Sequence, residues 1–597
     1  MIKILYVITT FLLINLLIGC SNVVAPEIVR LANDGDKLWI TDRAGKKIWT
    51  VDRMSGKISG KQVFPSAVND LQLDSKGRLW AVCDGPNGSL YELNPANLKV
   101  MFNMPLGYSP TALAFNEKTG TLWITQRYNS EVWEIDPVSK KIVSQIGVGR
   151  EPVDIISVRG GDYMLVVNNL PSMASTDFPV ATHIDVMEVA SKKIVDRILL
   201  ANGATDARAI SASPDGKYAY VTHLIGRYQL PTNQVDRGWM STNALSVINL
   251  NDFTLETAVL LDTPQRGAAN PSAIELSPDG LYIVIALTGS HELCVIDRLA
   301  LHDRLEAVKR GEKVVPSIRK WKDIPNDAGF LYGIREFVPT GGKGPQGFAF
   351  SPDGTVLVAN YFTGGLSVID RQGKITESYS LGSPVTSTKQ GLGNMYFHDA
   401  TLCFQQWQSC ASCHPNNARM DGLNWDLLND GAGNPKNTKS LLLSHRTPPC
   451  MITGIRKNAE IAVRAGLKFI HFADVPDEIA QAMDEYLKSL VPLVSPYLVD
   501  GKLSKAAERG QVNYDKYCAS CHAGQYHTDM KQYQVDWDTT REKAPMDVPT
   551  LTEIWRTAPY LYDGRSITIR EMLYVHGPEK TLSSTDLDDL ATYILSL

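Results

Sequence analysis

The chain has 597 residues, 44% of them apolar, and a formal net charge of −5. That length exceeds what one hydrophobic core supports and predicts at least two domains. The apolar share suffices for packed cores, and the lack of a basic excess argues against a nucleic-acid partner.

The first twenty residues read as a targeting segment. Lys3 gives a positive start, Ile4 to Ile18 is an apolar run short for a bilayer span, and Leu17-Ile18-Gly19-Cys20 has the form of a bacterial lipoprotein cleavage box. Residues 1–20 are then a signal peptide and Cys20 the lipidated residue. An uncleaved anchor helix or a plain signal peptide is the alternative. Ser21 after the cysteine, by resemblance to known lipoproteins, favours the outer membrane, with the soluble part in the periplasm or at the cell surface. Either compartment permits disulfides.

Residues 27–375 repeat a strand-turn-strand unit, seen in Lys37-Leu38-Trp39-Ile40-Thr41, Gly77-Arg78-Leu79-Trp80, Gly120-Thr121-Leu122-Trp123 and Gly161-Asp162-Tyr163-Met164. The period of about 41 to 43 residues is that of a four-stranded propeller blade. Later units open on Ser-Pro-Asp-Gly turns at 213–216, 277–280 and 351–354, and several close on an acidic residue, as in Val132-Trp133-Glu134-Ile135-Asp136. Seven units are counted, which predicts an all-β seven-bladed propeller, since radial stacking buries both faces of each sheet. Tyr220-Val221-Thr222-His223 resembles the YVTN signature of such propellers, a fold that implies no function by itself. Insertions break the period at about 225–243 and 298–343; the second, rich in Lys, Arg, Glu and Pro, is a docking loop or a solvated excursion. His183, His223, His291 and His302 are scattered and read as structural, and Cys83 and Cys294 as buried free thiols.

From residue 383 the pattern changes to helices and Gly/Pro-rich loops. Two identical motifs, Cys410-Ala411-Ser412-Cys413-His414 and Cys518-Ala519-Ser520-Cys521-His522, stand 108 residues apart. Each offers two thiols for thioether bonds to a haem and an imidazole for its iron; zinc would need a further Cys or His pair nearby, which neither motif has. Two covalent haem c groups are expected, in mainly α cytochrome c-like domains over 385–495 and 503–597. Asp477 to Leu490 carries Ile479, Met483, Leu487 and Leu490 on one helical face and ends before Pro492. Ser504 caps the next helix, where Gly510 permits close crossing by the last helix with its stripe Leu587, Leu590, Ile594 and Leu597. Cys403 and Cys450 flank the first motif and are a candidate disulfide.

The segments Phe397-His398-Asp399-Ala400-Thr401-Leu402, Asp421-Gly422-Leu423-Asn424-Trp425-Asp426-Leu427, Val548-Pro549-Thr550-Leu551 and Thr557-Ala558-Pro559-Tyr560-Leu561-Tyr562-Asp563-Gly564 resemble the bacterial dihaem cytochrome c peroxidase and MauG family. The resemblance covers about residues 385–597. It implies that the first haem reacts with peroxide and that the second stores or delivers electrons, with His414 and His522 as proximal ligands; where the family carries Met or Tyr as sixth ligand of the second haem this sequence has His576, which is the candidate ligand or else caps a loop at the haem edge. The family's switchable distal His falls near Asn429, which offers no imidazole and implies an open first iron. Its distal Glu falls near His471 and Phe472, so His471 is a candidate acid/base or iron ligand, with His445 the second candidate; surface or packing roles stand beside both. The family's inter-haem Trp aligns with Ile452, and Trp425 or Trp555 are candidate substitutes. A calcium ion between the haem domains is also implied, without an identified ligand cluster.

The leading expectation is a peroxidase-like oxidoreductase taking electrons from a small donor protein, such as a monohaem cytochrome or cupredoxin, and reducing hydrogen peroxide. A MauG-like variant would oxidise a protein docked on the propeller. The alternatives are a non-enzymatic electron-transfer protein with both irons six-coordinate, and a propeller that binds a surface glycan or protein with the cytochrome part as relay.

Overall fold

The computed structural model describes residues 28–34, 37–53, 55–229, 240–426, 435–535, 545–577 and 581–597; Cys20, Asn429 and Pro578 lie outside them. Seven four-stranded antiparallel sheets span 28–63, 68–105, 110–147, 152–199, 204–260, 271–339 and 345–380. Trp39, Trp80 and Trp123, the residues that mark the sequence period, are buried in the second strands of the first three blades. Carboxylates on innermost strands join neighbouring blades: Asp70 accepts from the Leu113 amide and Asp154 from the Ile210 amide, each at 3.0 Å. Because every blade uses consecutive strands, the ring closes by side-chain packing of Leu38, Ile40, Trp49 and Val51 on Leu357, Ala359, Leu366 and Leu381. The last blade runs to Ser380 rather than 375, because its outer strand Ile375–Ser380 faces water and lacks an apolar signature.

The propeller histidines take structural roles. His223 is held by Ser246 at 2.8 Å, His302 stacks on Tyr218, His183 lies beside Asp185, and His291 pairs with Asp399 at 3.2 Å. Cys83 and Cys294 are buried free thiols. The second insertion contains α1 (Arg298–Lys309) and a short 3-10 segment, Trp321–Asn326.

The C-terminal part contains α2 (Lys389–His398), α3 (Ala459–Phe469), α4 (Asp477–Ser489), α5 (Lys505–Tyr517), α6 (Ile569–His576) and α7 (Ser584–Leu595). It is an internal repeat. The two-residue ladders Asn424–Trp425 with Lys436–Asn437 and Gln532–Tyr533 with Met546–Asp547 correspond, as do the bridges Cys450 to Arg456 and Tyr560 to Ser566. The N-caps Asn458 and Thr568 start α3 and α6 at matching places. The halves exchange equivalent bonds: the Asn437 amide donates to Tyr562 O at 2.7 Å and the Asp547 amide to Ile452 O at 2.9 Å. Asn424 Nδ2 donates to Asp563 O and Gln532 Nε2 to Thr453 O, both at 2.6 Å. The pairing is that of a pseudo-twofold dimer folded from one chain.

In each half the first and last helices cross at a glycine. A Cβ on Gly393 would strike Ala482 O, and one on Gly510 would strike Asp589 O. Gly466, on α3, has open space where its Cβ would lie. Gly393→Ala and Gly510→Ala are each expected to lose roughly 1–3 kcal/mol through overpacking. Gly466→Ala should instead gain about 0.5–1 kcal/mol of helix stability. Denaturant unfolding of the three variants checks this contrast, and equal losses would contradict the crossings.

Candidate haem centres

The first motif forms one helical turn, Cys410–Cys413, capped reciprocally by Ser409 and Ser412. Asn416, Asn417 and Ala418 follow with φ of 56°, 63° and 61°, a left-handed run that Asn accepts better than most residues. The turn brings Arg419 O to 3.1 Å from His414 Nδ1. A carbonyl only accepts, so Nδ1 carries the proton and Nε2 keeps the lone pair a metal needs. At the second motif His522 Nδ1 meets His527 O at 3.1 Å, the same five-residue return. Burial pushes the Cys410 thiol up to about 12 and the Cys518 thiol up to about 11.

His522 and His576 face each other with ring centres 6.3 Å apart and planes at 76°. Two metal–imidazole bonds of about 2 Å plus two ring radii sum to roughly 6 Å, so the pair fits the two sides of one iron. Burial depresses both imidazoles, His522 to about 4, which keeps them neutral and able to ligate.

Around the first motif, orphaned polar atoms mark a cradle. Gln408 is buried with both amide atoms unpaired among the described residues, and so is His471 Nδ1. Burial, with a contribution from His414, lowers His471 to about 4. Its amide donates to Gly466 O at 3.1 Å, at the end of α3. Counting eight residues from each N-cap, Gly466 occupies on α3 the place His576 occupies on α6. The residues present therefore fit a haem at each motif, with unlike distal sides.

The propeller completes the first centre. Cys413 packs in one apolar cluster with Leu423, Trp425 and Ile470 and with Met173, Val180, Tyr228 and Met240 of the blades. Thr205 and Ser175 donate to Asp421 O and Gly422 O, each at 2.7 Å. Asp421 itself holds the Trp425 indole at 2.8 Å, and burial pushes its carboxyl up to about 7. All these blade residues lie on inter-blade loops, loops joining second and third strands, or the first residues of a blade, so they share one rim of the ring. The Ser-Pro-Asp-Gly turns and α1 lie on the other rim.

Several sequence candidates find other positions. His445 Nε2 binds Asp484 at 3.0 Å, which also binds Arg464, so its buried ring is committed to an ion-paired packing site. Trp555, its repeat equivalent, packs on Tyr108 and Tyr128 of the propeller. Tyr562 is the repeat equivalent of Ile452, where the family's inter-haem Trp was expected. The proposed Cys403–Cys450 disulfide is absent: both are free thiols, Cys403 near Cys410 and Cys413, Cys450 beside Ser444 and near Lys439 and Asp547. Flanking the motif in sequence did not place them together in space. For calcium, no group of three or more His, Cys, Asp or Glu side chains that could hold a metal ion occurs among the described residues. Sequence reasoning missed the internal repeat, although aligning the two identical motifs and the shared Thr-X-Pro segments at Thr447 and Thr557 would have exposed it.

The cytochrome c family model matches residues 507–597, so this domain binds haem c covalently. Hydrazine synthase subunit beta of Kuenenia stuttgartiensis is 28% identical over 192 residues, covering 31% of this chain and 46% of that protein. Subunit gamma from the same organism is 24% identical over 283 residues, covering 36% of this chain and 79% of that protein. The chain thus spans about half the length of the beta subunit and most of the gamma subunit. A solved Kuenenia stuttgartiensis hydrazine synthase chain aligns with a TM-score of 0.52 at 20% identity, over 59% of this chain and 97% of that one, a likeness of fold. The cytochrome c match supports a haem redox role.

Replacing His576 with Ala should convert the second centre from low-spin to high-spin, read by electron paramagnetic resonance of the oxidised protein. His576→Met should keep it low-spin and raise its reduction potential, since Met/His ligation favours the ferrous state. An unchanged second centre in both variants would remove His576 as a ligand.

Proposed function

We propose that the protein is a dihaem oxidoreductase of the bacterial cell envelope that delivers electrons from the His522 centre to a small molecule at the His414 centre. The observation that carries this reading is the broken symmetry of the repeat: His576 faces His522, whereas Gly466, which has no side chain to offer a metal, stands in the corresponding place on α3. When bound, the two haems supply one-electron redox chemistry and, at the first, an iron position available to a small ligand.

The chain's own residues divide the remaining work. His576 closes the second centre, which suits it to electron exchange rather than substrate binding. Gly466 keeps the side chain of α3 out of the first centre. His471, bonded through its backbone to Gly466, brings a buried imidazole with a free nitrogen to that side, where it exchanges protons with the bound molecule. His414 is oriented by Arg419 O, and Met173, Val180, Tyr228 and Met240 exclude water from the Cys413 side. The resemblance to dihaem peroxidases supports hydrogen peroxide as the substrate, and the name of the hydrazine synthase relatives supports a small nitrogen compound. A small electron-donor protein at the second centre and a lipid anchor through Cys20 belong to this proposal.

Electron paramagnetic resonance of the oxidised protein should give one high-spin and one low-spin ferric signal. Hydrogen peroxide or hydroxylamine should alter only the high-spin one, and the molecule that also turns over with electrons is the substrate. Two low-spin signals indifferent to both additions would leave an electron carrier. Gly466→His should convert the high-spin signal to low-spin and abolish the response to either molecule, leaving the second centre as it was.

A further inference from the structure

Five charged side chains of alternating sign cross the three domains. Arg127 binds Glu151 Oε2 through Nε at 2.9 Å and Nη2 at 2.7 Å. Glu151 binds Arg556 at 3.2 and 3.4 Å, and Arg556 lies 3.6 Å from Glu553. Glu553 holds Arg419 through two bonds of 2.7 and 3.0 Å. The first two residues belong to the propeller, the next two to the second cytochrome c domain and the last to the first. Arg419 is the residue whose carbonyl holds His414.

The four inner members are at most 5% exposed, so solvent screens them little. Burial works against the Glu151 carboxylate, yet Arg556, Arg127 and Arg150 hold it down at about 2. Arg150 adds a mechanical tie, donating to Arg556 O at 2.7 Å and Ala558 O at 2.5 Å. The second centre has no counterpart. There the carbonyl belongs to His527, whose ring meets Tyr514 at 3.3 Å, and Leu443 fills the place of Glu553.

We infer that the chain Arg127–Glu151–Arg556–Glu553–Arg419 is a positioning network through which the propeller sets the reduction potential of the first haem and leaves that of the second alone. Charge and hydrogen bonding beyond an axial ligand tune its donor strength, and a buried alternating chain carries a change at its far end to the His414 carbonyl. Loss of Glu151 takes its carboxylate from Arg127 and leaves Arg556 with Glu553 alone, and the added positive field favours the ferrous state. Loss of Arg127 leaves Glu151 over-negative and favours the ferric state.

The test is spectroelectrochemical titration of the full-length, haem-loaded protein, with the two centres resolved by their spectra. Glu151→Gln should raise the potential of the first haem, Arg127→Gln should lower it, Glu151→Asp should stay near the parent, and the second haem should hold its value in all three. Opposite shifts from two neighbouring residues are not what general loosening of an interface produces. If Glu151→Gln does not accumulate folded, Arg127→Gln, at the outer end of the chain, still reads the sign. A first-haem potential that moves in neither variant, moves the same way in both, or moves together with the second haem would overturn the inference. The inference rests on haem attachment at the first motif and not on the reaction, so it can fail while the high-spin signal stands, and the converse.

Discussion

Charges taken out of water must find partners, and here the partners come from different domains. Removing one member of a buried ion pair costs about 3–5 kcal/mol, while a rigid rotation of either cytochrome c domain away from the propeller would separate several pairs at once. The alternating arginines and glutamates therefore act less as glue than as a register: few relative orientations satisfy all of them. Bonds from Thr205 and Ser175 to the first haem domain, and from Asn416 of that domain to Asn169 Oδ1, then fall into place along the same rim.

That register ties the propeller to the segment that carries the first motif. The rim that a free propeller would offer to a partner is covered by its own C-terminal region. One wall of the first centre is made of blade side chains, and Gly226 and Gly267 leave room for Trp425 and Gln406 to come close. The opposite rim carries α1 and the Ser-Pro-Asp-Gly turns. The second centre is built almost wholly within 503–597, which agrees with the family match there, whereas the first draws on three domains.

The parts of this design that could be read from sequence are those whose signal is local. Thioether attachment needs two cysteines and a histidine within five residues, so both motifs were plain. Blade period was legible because Trp39, Trp80 and Trp123 recur at one strand position. The α5–α7 crossing was legible because Gly510 faces a stripe of leucines. The ion chain was not, since Arg419 and Glu553 are 134 residues apart and neither has a distinguishing neighbour. The distal contrast was hidden differently: the spacing between halves shifts from 108 residues at the motifs to 110 at α3 and α6, and Gly466 alone looks like any helical glycine. Cys403 and Cys450 show the reverse error, where nearness in sequence suggested a bond that packing forbids.

Blades made of four consecutive strands have a structural price of their own. Many closed rings gain security when one sheet borrows a strand from the other end of the chain, but here the first and last blades meet through apolar side chains, a bond from Tyr379 to Arg53 O at 3.4 Å and an ion pair of Arg53 with Asp353 at 3.6 Å, with no strand shared between them. The seam is thus the natural place for the ring to open on heating. It also means that cutting the polypeptide between any two blades, and joining residue 28 to residue 380, would leave every sheet whole: the architecture is open to circular permutation, and the order of its blades in the gene is separable from their order in space.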